Sequence, residues 1–143
     1  MAVVTGGTGG IGAAICKTLA EAGAAVAVGY NSSAEKAEAM LGELPGDGHM
    51  ALRMPVTDTA ALSEAIASID KRHARLDLLV NSAGITRFVP HGDLDALDDA
   101  LISRILDVNV RGVIASVRAS LPLMRRSGGG AIVNISSIAG VTA

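Results

Sequence analysis

Apolar residues fall along this chain in two alternating rhythms. Short continuous blocks stand at residues 1–4, 25–30, 50–54, 76–81 and 131–135 and are rich in Val, Ile, Leu and Ala, which predicts strands. Between them run longer stretches whose apolar positions recur every three to four residues, as one face of a helix requires. The first, over 11–22, carries Ile11, Ile15 and Leu19 at i, i+4 and i+8 and meets a stop signal at Gly23. The second, over 33–44, starts from Ser33 as N-cap and ends near Pro45-Gly46. The third starts from a cap at Thr57 or Asp58 and runs to about residue 73. The last is a long helix over 97–126, expected to be disturbed near Pro122 because proline lacks the N–H of the helical ladder. Its apolar stripe, Ile102, Ile105, Leu106, Val113 and Val117, is expected to be buried with Asn109 inside it. Residues 84–95 read as loop and 128–130 as turn.

Strands that alternate with helices over short connections form a parallel, doubly wound α/β sheet of the Rossmann type, here with strand order 3-2-1-4-5. Residues 1–143 read as one such domain. Ligands of open parallel sheets bind outside the carboxyl ends of the strands where the strand order reverses, which places the crevice beyond strands 1 and 4. Three polar or glycine-rich clusters, at 5–12, 81–84 and 136–137, fall at strand carboxyl ends and converge on that edge.

Composition narrows the picture. Half of the 143 residues are hydrophobic and the mean hydropathy is +0.45, as expected for a sheet covered on both faces. Tyr30 and Phe88 are the only aromatics, so the core is built from Ala, Val, Ile and Leu. No apolar run reaches the roughly 18 residues of a membrane span. The N-terminus lacks the basic stretch of a signal peptide, and a cytoplasmic location is expected. The net charge of −2 and the absence of a basic cluster argue against nucleic acid as partner. The lone Cys16 excludes an intrachain disulfide and is expected to pack in the core; no metal site is expected.

The chemistry enters with Thr5-Gly6-Gly7-Thr8-Gly9-Gly10-Ile11-Gly12, between the first strand and the first helix. Glycines at Gly6, Gly10 and Gly12 permit a tight turn and leave room for a pyrophosphate against the amide groups of the helix N-terminus. A phosphate loop of the NTPase kind needs Gly-Lys-Ser/Thr at the helix start; this chain has Gly12-Ala13-Ala14, with Lys17 more than a turn later. The spacing Thr-Gly-x-x-x-Gly-x-Gly resembles that of the short-chain dehydrogenase/reductase family. Three further segments resemble the family's motifs in order: Asn81-Ser82-Ala83-Gly84, with Ser82 in place of a second Asn; Asn109 in Leu106-Asp107-Val108-Asn109-Val110; and Ser136-Ser137-Ile138-Ala139-Gly140 after the fifth strand. The resemblance runs nearly end to end and leans toward the 3-oxoacyl reductase-like or acetoacetyl-CoA reductase-like branch.

The resemblance implies an oxidoreductase that transfers hydride between a nicotinamide and a ketone or secondary alcohol. It implies cofactor contacts at Gly6, Thr8, Gly9, Gly10, Ile11, Gly12, Asn81, Ala83 and Gly84. NAD-preferring sites place an acid after the second strand to hold the ribose 2′-hydroxyl. Here that place reads Tyr30-Asn31-Ser32-Ser33, and with no carboxylate to repel it a 2′-phosphate is accommodated, with Lys36 one turn on. NADP(H) is therefore favoured over NAD(H), although the glycine loop holds no Arg or Lys. Asn31, Ser32 and Ser33 are the candidate contacts there. Pro55 stands where family members often carry Asp, so Asp58 reads as a helix cap and the backbone at Val56 as the adenine contact.

By the same resemblance Ser137, which heads Ser-x-x-Gly, orients the substrate oxygen, and Asn109 serves the proton relay. The family's Tyr-x-x-x-Lys pair, in which lysine lowers the tyrosine pKa, is not found in 1–143: Tyr30 is the only tyrosine and Ala34 stands where its Lys would be. His91, after Pro90, reads as a solvated loop histidine. The missing pair, strands 6 and 7 and half of the usual dimer-forming helix pair are expected beyond Ala143, so the domain is read as incomplete at its C-terminus and the fifth strand as an exposed edge. Two other readings stay open: a non-catalytic dinucleotide-binding module, and one half of a split enzyme complemented by a C-terminal segment. The expected partners are a small carbonyl or alcohol substrate and a second copy of the chain, with no membrane.

Overall fold

The structure, a computed structural model, describes residues 1–90 and 92–138; His91 and residues 139–143, which include the Ala139 and Gly140 of the serine motif, lie outside the described residues. Five parallel strands, β1 (Ala2–Thr5), β2 (Val26–Tyr30), β3 (Met50–Arg53), β4 (Leu78–Asn81) and β5 (Ala131–Asn134), form one sheet in the order β3-β2-β1-β4-β5. The helices are α1 (Gly10–Glu21), α2 (Ala34–Leu41), α3 (Thr59–His73), α4 (Asp99–Leu106) and α5 (Gly112–Arg126), with a π-helical turn at Asp107–Arg111. The strand order is the one read from the sequence, and no described helix is long and apolar enough to cross a membrane.

Side chains alternate across a strand, so the register decides which residues share a face. Val3 pairs with Ala27 and Leu79, and these three pack with Leu62, Ile66 and Ile69 of α3 and Ala115, Leu123 and Met124 of α5. Val4 pairs with Val28 and Val80, and these pack with Cys16 and Ala20 of α1 and Ala37 and Met40 of α2. The two-sided core follows from continuous apolar strands, and each fully buried Leu, Ile or Val contributes about 1.5–3 kcal/mol. The same register sets the strand ends level: Thr5 lies beside Asn81, and Asn81 beside Asn134. A polar row thus closes the carboxyl edge of β1, β4 and β5. All four residues of β5 are exposed.

Three expectations are corrected. The buried stripe of α1 is Gly12, Cys16 and Ala20, one residue on from the predicted one, while Ile11 is 63% exposed and Ile15 and Leu19 are half-buried. Small residues win because α1 lies close against the loop before it: a Cβ on Gly12 would sit 2.2 Å from the Gly6 carbonyl oxygen.

The long helix is interrupted by the π turn rather than at Pro122, which α5 passes through to Arg126. Proline removes one hydrogen bond there, and burial of Leu123 and Met124 on the sheet holds the helix in place. The expected stripe in this helix is not buried either. Ile102, Leu106 and Asn109 are exposed, whereas Gly112, Ala115, Ser116 and Ser120 are the buried residues. The wider π turn changes the phase of the helix, and the main neighbour of α4 is that turn rather than a strand.

The caps divide. Asp58, not Thr57, caps α3 by accepting from the Ala61 N–H at 3.1 Å. Ser33 stands at the N-cap of α2 without a side-chain hydrogen bond.

Candidate functional site

Beyond the end of β1 the chain must turn back into α1 within a few residues. Gly6 does so at φ +64°, a left-handed conformation that costs other residues strain, and a Cβ there would lie 2.8 Å from the Ala83 Cα. Its carbonyl accepts from the Gly9 N–H at 3.0 Å and abuts Gly12. Gly10 differs, since a Cβ there would meet nothing within 4 Å. Packing explains Gly6 and Gly12; at Gly10 the missing side chain leaves open space. The N-cap of α1, Gly9, offers no side-chain acceptor, and no acid occupies the first turn. The leading N–H groups of α1 therefore keep their capacity for an anion at the positive end of the helix dipole.

Thr5, which sequence reasoning passed over, joins the two strand ends. Its buried hydroxyl accepts from the N–H groups of Ser82 and Ala83, both at 3.2 Å, and donates to the Val80 carbonyl at 3.5 Å. Next to it Asn81 is 3% exposed and donates through Nδ2 to Asn134 Oδ1 at 2.9 Å. The Oδ1 of Asn81 is buried with no donor among the described residues. A threonine at the last position of a β-branched strand, just before a glycine loop, is the signal that points to such a strap.

Asn109 sits in the π turn and uses its whole amide on one residue. Its Oδ1 accepts from the Ile85 N–H at 2.9 Å and its Nδ2 donates to the Ile85 carbonyl at 2.8 Å. It is exposed rather than held inside a buried apolar stripe, and the clamp holds the backbone that follows Gly84.

These elements enclose a cleft of about 670 Å³ outside the carboxyl ends of the strands. Of the predicted residues, Gly6, Thr8, Gly9, Asn31, Ser32, Ser33, Val56, Ala83 and Gly84 line it. Gly10, Ile11 and Gly12 form the first turn of α1 without lining it, and Asn81 and Asn109 stand behind its wall through the contacts above. Ser137 is exposed at the third position past Asn134, on the same edge, and is not among the lining residues. Reading the sequence missed Met54, Pro55 and Thr57 after β3, Ser82 and Ile85 after β4, and a whole face of α4 that continues into the π turn: Ala100, Ser103, Arg104, Asp107 and Val108. Their spacing of i, i+3, i+4, i+7, i+8 was the available signal.

Two other residues are placed away from the chemistry. Lys36, offered for a 2′-phosphate, instead lines a separate hollow of about 320 Å³ with Lys17, between α1 and α2. Cys16 is fully buried, and burial pushes its thiol pKa up to about 12, so it stays protonated and unreactive.

A level sheet edge with a glycine turn, a helix N-terminus and a polar cleft at the switch point is the architecture of a dinucleotide-binding α/β domain. The short chain dehydrogenase family model matches residues 1–143, and the chain belongs to that family. It is 38% identical over 141 residues to a 3-oxoacyl-(acyl-carrier-protein) reductase of Staphylococcus aureus, covering 97% of this chain and 56% of that one. It is 40% identical over 142 residues to the cis-4-hydroxycyclohexanecarboxylate dehydrogenase of Sinomonas cyclohexanicum, covering 98% of this chain and 55% of the relative. Among solved structures, the sorbitol-6-phosphate 2-dehydrogenase of Erwinia amylovora superposes with a TM-score of 0.85 at 31% identity, over 100% of this chain and 56% of that one. The chain thus spans a little over half the length of these relatives.

Proposed function

We propose that this chain forms the cofactor-binding part of an NADP(H)-dependent oxidoreductase acting on a ketone or secondary alcohol, with a 3-oxoacyl thioester as the favoured substrate class. The observation that carries the proposal is the cleft itself, where an uncapped helix N-terminus and an acid-free β2 end, Asn31, Ser32 and Ser33, line one space. The similarity to the S. aureus reductase supports the substrate class.

The residues present fit such a cofactor. The loop from Gly6 to Gly12 and the α1 amides would hold the pyrophosphate, with the open space at Gly10 admitting it. Asn31, Ser32 and Ser33 supply donors and no negative charge for a 2′-phosphate. Val56, which lines the cleft, would supply backbone and an apolar surface for adenine, and Ala83 and Gly84, with Asn81 behind them, would line the nicotinamide side. When bound, the cofactor supplies or accepts the hydride. Asn109 is a positioning residue that fixes residue 85, and Ser137 is assigned to hydrogen-bond the substrate oxygen. By family resemblance the proton itself passes through a Tyr and Lys, either in the same polypeptide or in a complementing one.

The test is a fluorescence titration with NADPH followed by turnover of an acetoacetyl thioester, monitored by reduced-nicotinamide absorbance. Ser137→Ala should keep the NADPH affinity and lower kcat by roughly 10²-fold, the usual loss for one oxyanion-directed donor. Binding without turnover would favour the non-catalytic module, and turnover that appears only on adding a second polypeptide would favour the split enzyme. Failure to bind either dinucleotide sinks the proposal.

A further inference from the structure

We infer that Arg104 is the specificity-determining cation of the cleft, the group that pairs with the 2′-phosphate of NADP(H); the inference rests on the dinucleotide reading above. The cleft wall formed by α4 and the π turn brings one basic and one acidic residue into the lining, Arg104 and Asp107, and no other charged residue lines it. Asp107 is already neutralised: its Oδ1 accepts from Arg111 Nε at 2.8 Å, and the same guanidinium donates to the Thr57 carbonyl at 3.3 Å. The Arg104 guanidinium has no ion pair or hydrogen bond among the described residues. The cleft therefore presents one uncompensated positive charge.

The anionic groups of a phosphorylated dinucleotide can be assigned in turn. The pyrophosphate is met by the glycine loop and the leading amides of α1, which hold no cation. The 2′-phosphate is left. The end of β2 offers it hydroxyl and amide donors at Asn31, Ser32 and Ser33 but no charge. Lys36 and Lys17 belong to the separate hollow between α1 and α2. Arg53, in register with Tyr30 at the end of β3, is exposed and does not line the cleft, so Arg104 is the cation that remains among its lining residues, and a guanidinium suits a phosphate because its planar fork donates two parallel hydrogen bonds. Discrimination between the two dinucleotides is then supplied by α4, an element distant in sequence from both the glycine loop and the β2 end.

The deciding experiment measures dissociation constants of NADPH and NADH, and of the competitors 2′,5′-ADP and 5′-AMP, for the wild type, Arg104→Ala and Arg104→Lys. Loss of a charge-assisted pair predicts that Arg104→Ala weakens NADPH and 2′,5′-ADP roughly tenfold or more, with NADH and 5′-AMP within about twofold. Arg104→Lys should fall between, since a lysine keeps the charge and loses the fork. Equal losses for both members of each pair would overturn the inference, because Arg104 would then be acting on the shared adenosine or on the shape of the cleft. Unchanged constants for all four would overturn it as well. A wild type that binds neither dinucleotide overturns the underlying reading instead, so the two failures are distinguishable.

Discussion

Two glycines of one motif, Gly10 and Gly12, stand two positions apart at the start of α1 and play different roles. Gly12 faces the Gly6 carbonyl so closely that an added Cβ would lie 2.2 Å away, whereas at Gly10 it would meet nothing within 4 Å. Gly12→Ala should therefore destabilise the fold by about 1–3 kcal/mol, the usual cost of overpacking, because the obstacle is backbone and cannot rotate away. Gly10→Ala should leave stability unchanged or raise it by a few tenths of a kcal/mol, since alanine is the better helix former, and should weaken NADPH binding instead. Urea denaturation and a cofactor titration on both variants check this; equal stabilities for the two would contradict the geometry. The glycines were legible in the sequence as a set, but the text of the motif does not say which glycine serves packing and which serves access.

At the scale of elements, the site depends on how strand ends are held level. Thr5 couples β1 to the turn after β4 through a hydroxyl that serves three backbone groups at 1% exposure. Thr5→Val keeps the shape and leaves the half-buried Ser82 and Ala83 N–H groups without that acceptor, at a cost of about 1 kcal/mol or more. Thr5→Ser should recover most of the loss. Faster amide exchange at Ser82 and Ala83 in the valine variant, with β2 and β3 unaffected, is the expected signature. The strap was not legible because its partners lie far along the chain and meet only through the parallel register of β1 and β4. The long helix shows the same limit. Its apolar spacing was correct as a pattern, but the π turn at Asp107–Arg111 rotated the stripe, exposed Ile102 and Leu106, and turned the polar face with Ser103, Arg104 and Asp107 into a cleft wall.

At the scale of the whole molecule, the start of β4 is tied down by charge. Arg75 grips the Asp77 carboxylate through Nε at 2.9 Å and through a second nitrogen at 2.5 Å, and the Met1 amino group lies 2.8 Å from Asp77 Oδ2. These hydrogen bonds, that of Arg75 first and that of the amino group second, hold the carboxyl pKa down to about 2. A folded pKa below the unfolded value of about 3.9 means that the contribution is complete above that pH and is lost as pH falls through about 2. Asp77→Asn should thus flatten the acid limb of the stability curve between about pH 4 and pH 2 while changing its slope little near neutrality. Tm measured against pH for both proteins tests it, and an unchanged acid limb would show that the pair contributes nothing.

The sequence by itself determined the sheet and its strand order, because continuous apolar strands between amphipathic helices have few ways to cover both faces of a parallel sheet. It also determined that the glycine turn at 5–12, the 81–84 turn and the 136–137 pair fall at one edge, since each follows a strand and parallel strands point the same way. Tertiary structure decided the rest: that Lys36 serves another hollow, that Asn109 clamps residue 85 instead of lying buried, and that α4 brings Arg104 to the cleft. Those outcomes depend on the phase of one helix and the depth to which another packs. Both are set by contacts between residues far apart in the chain, which leave no mark in the spacing of apolar residues.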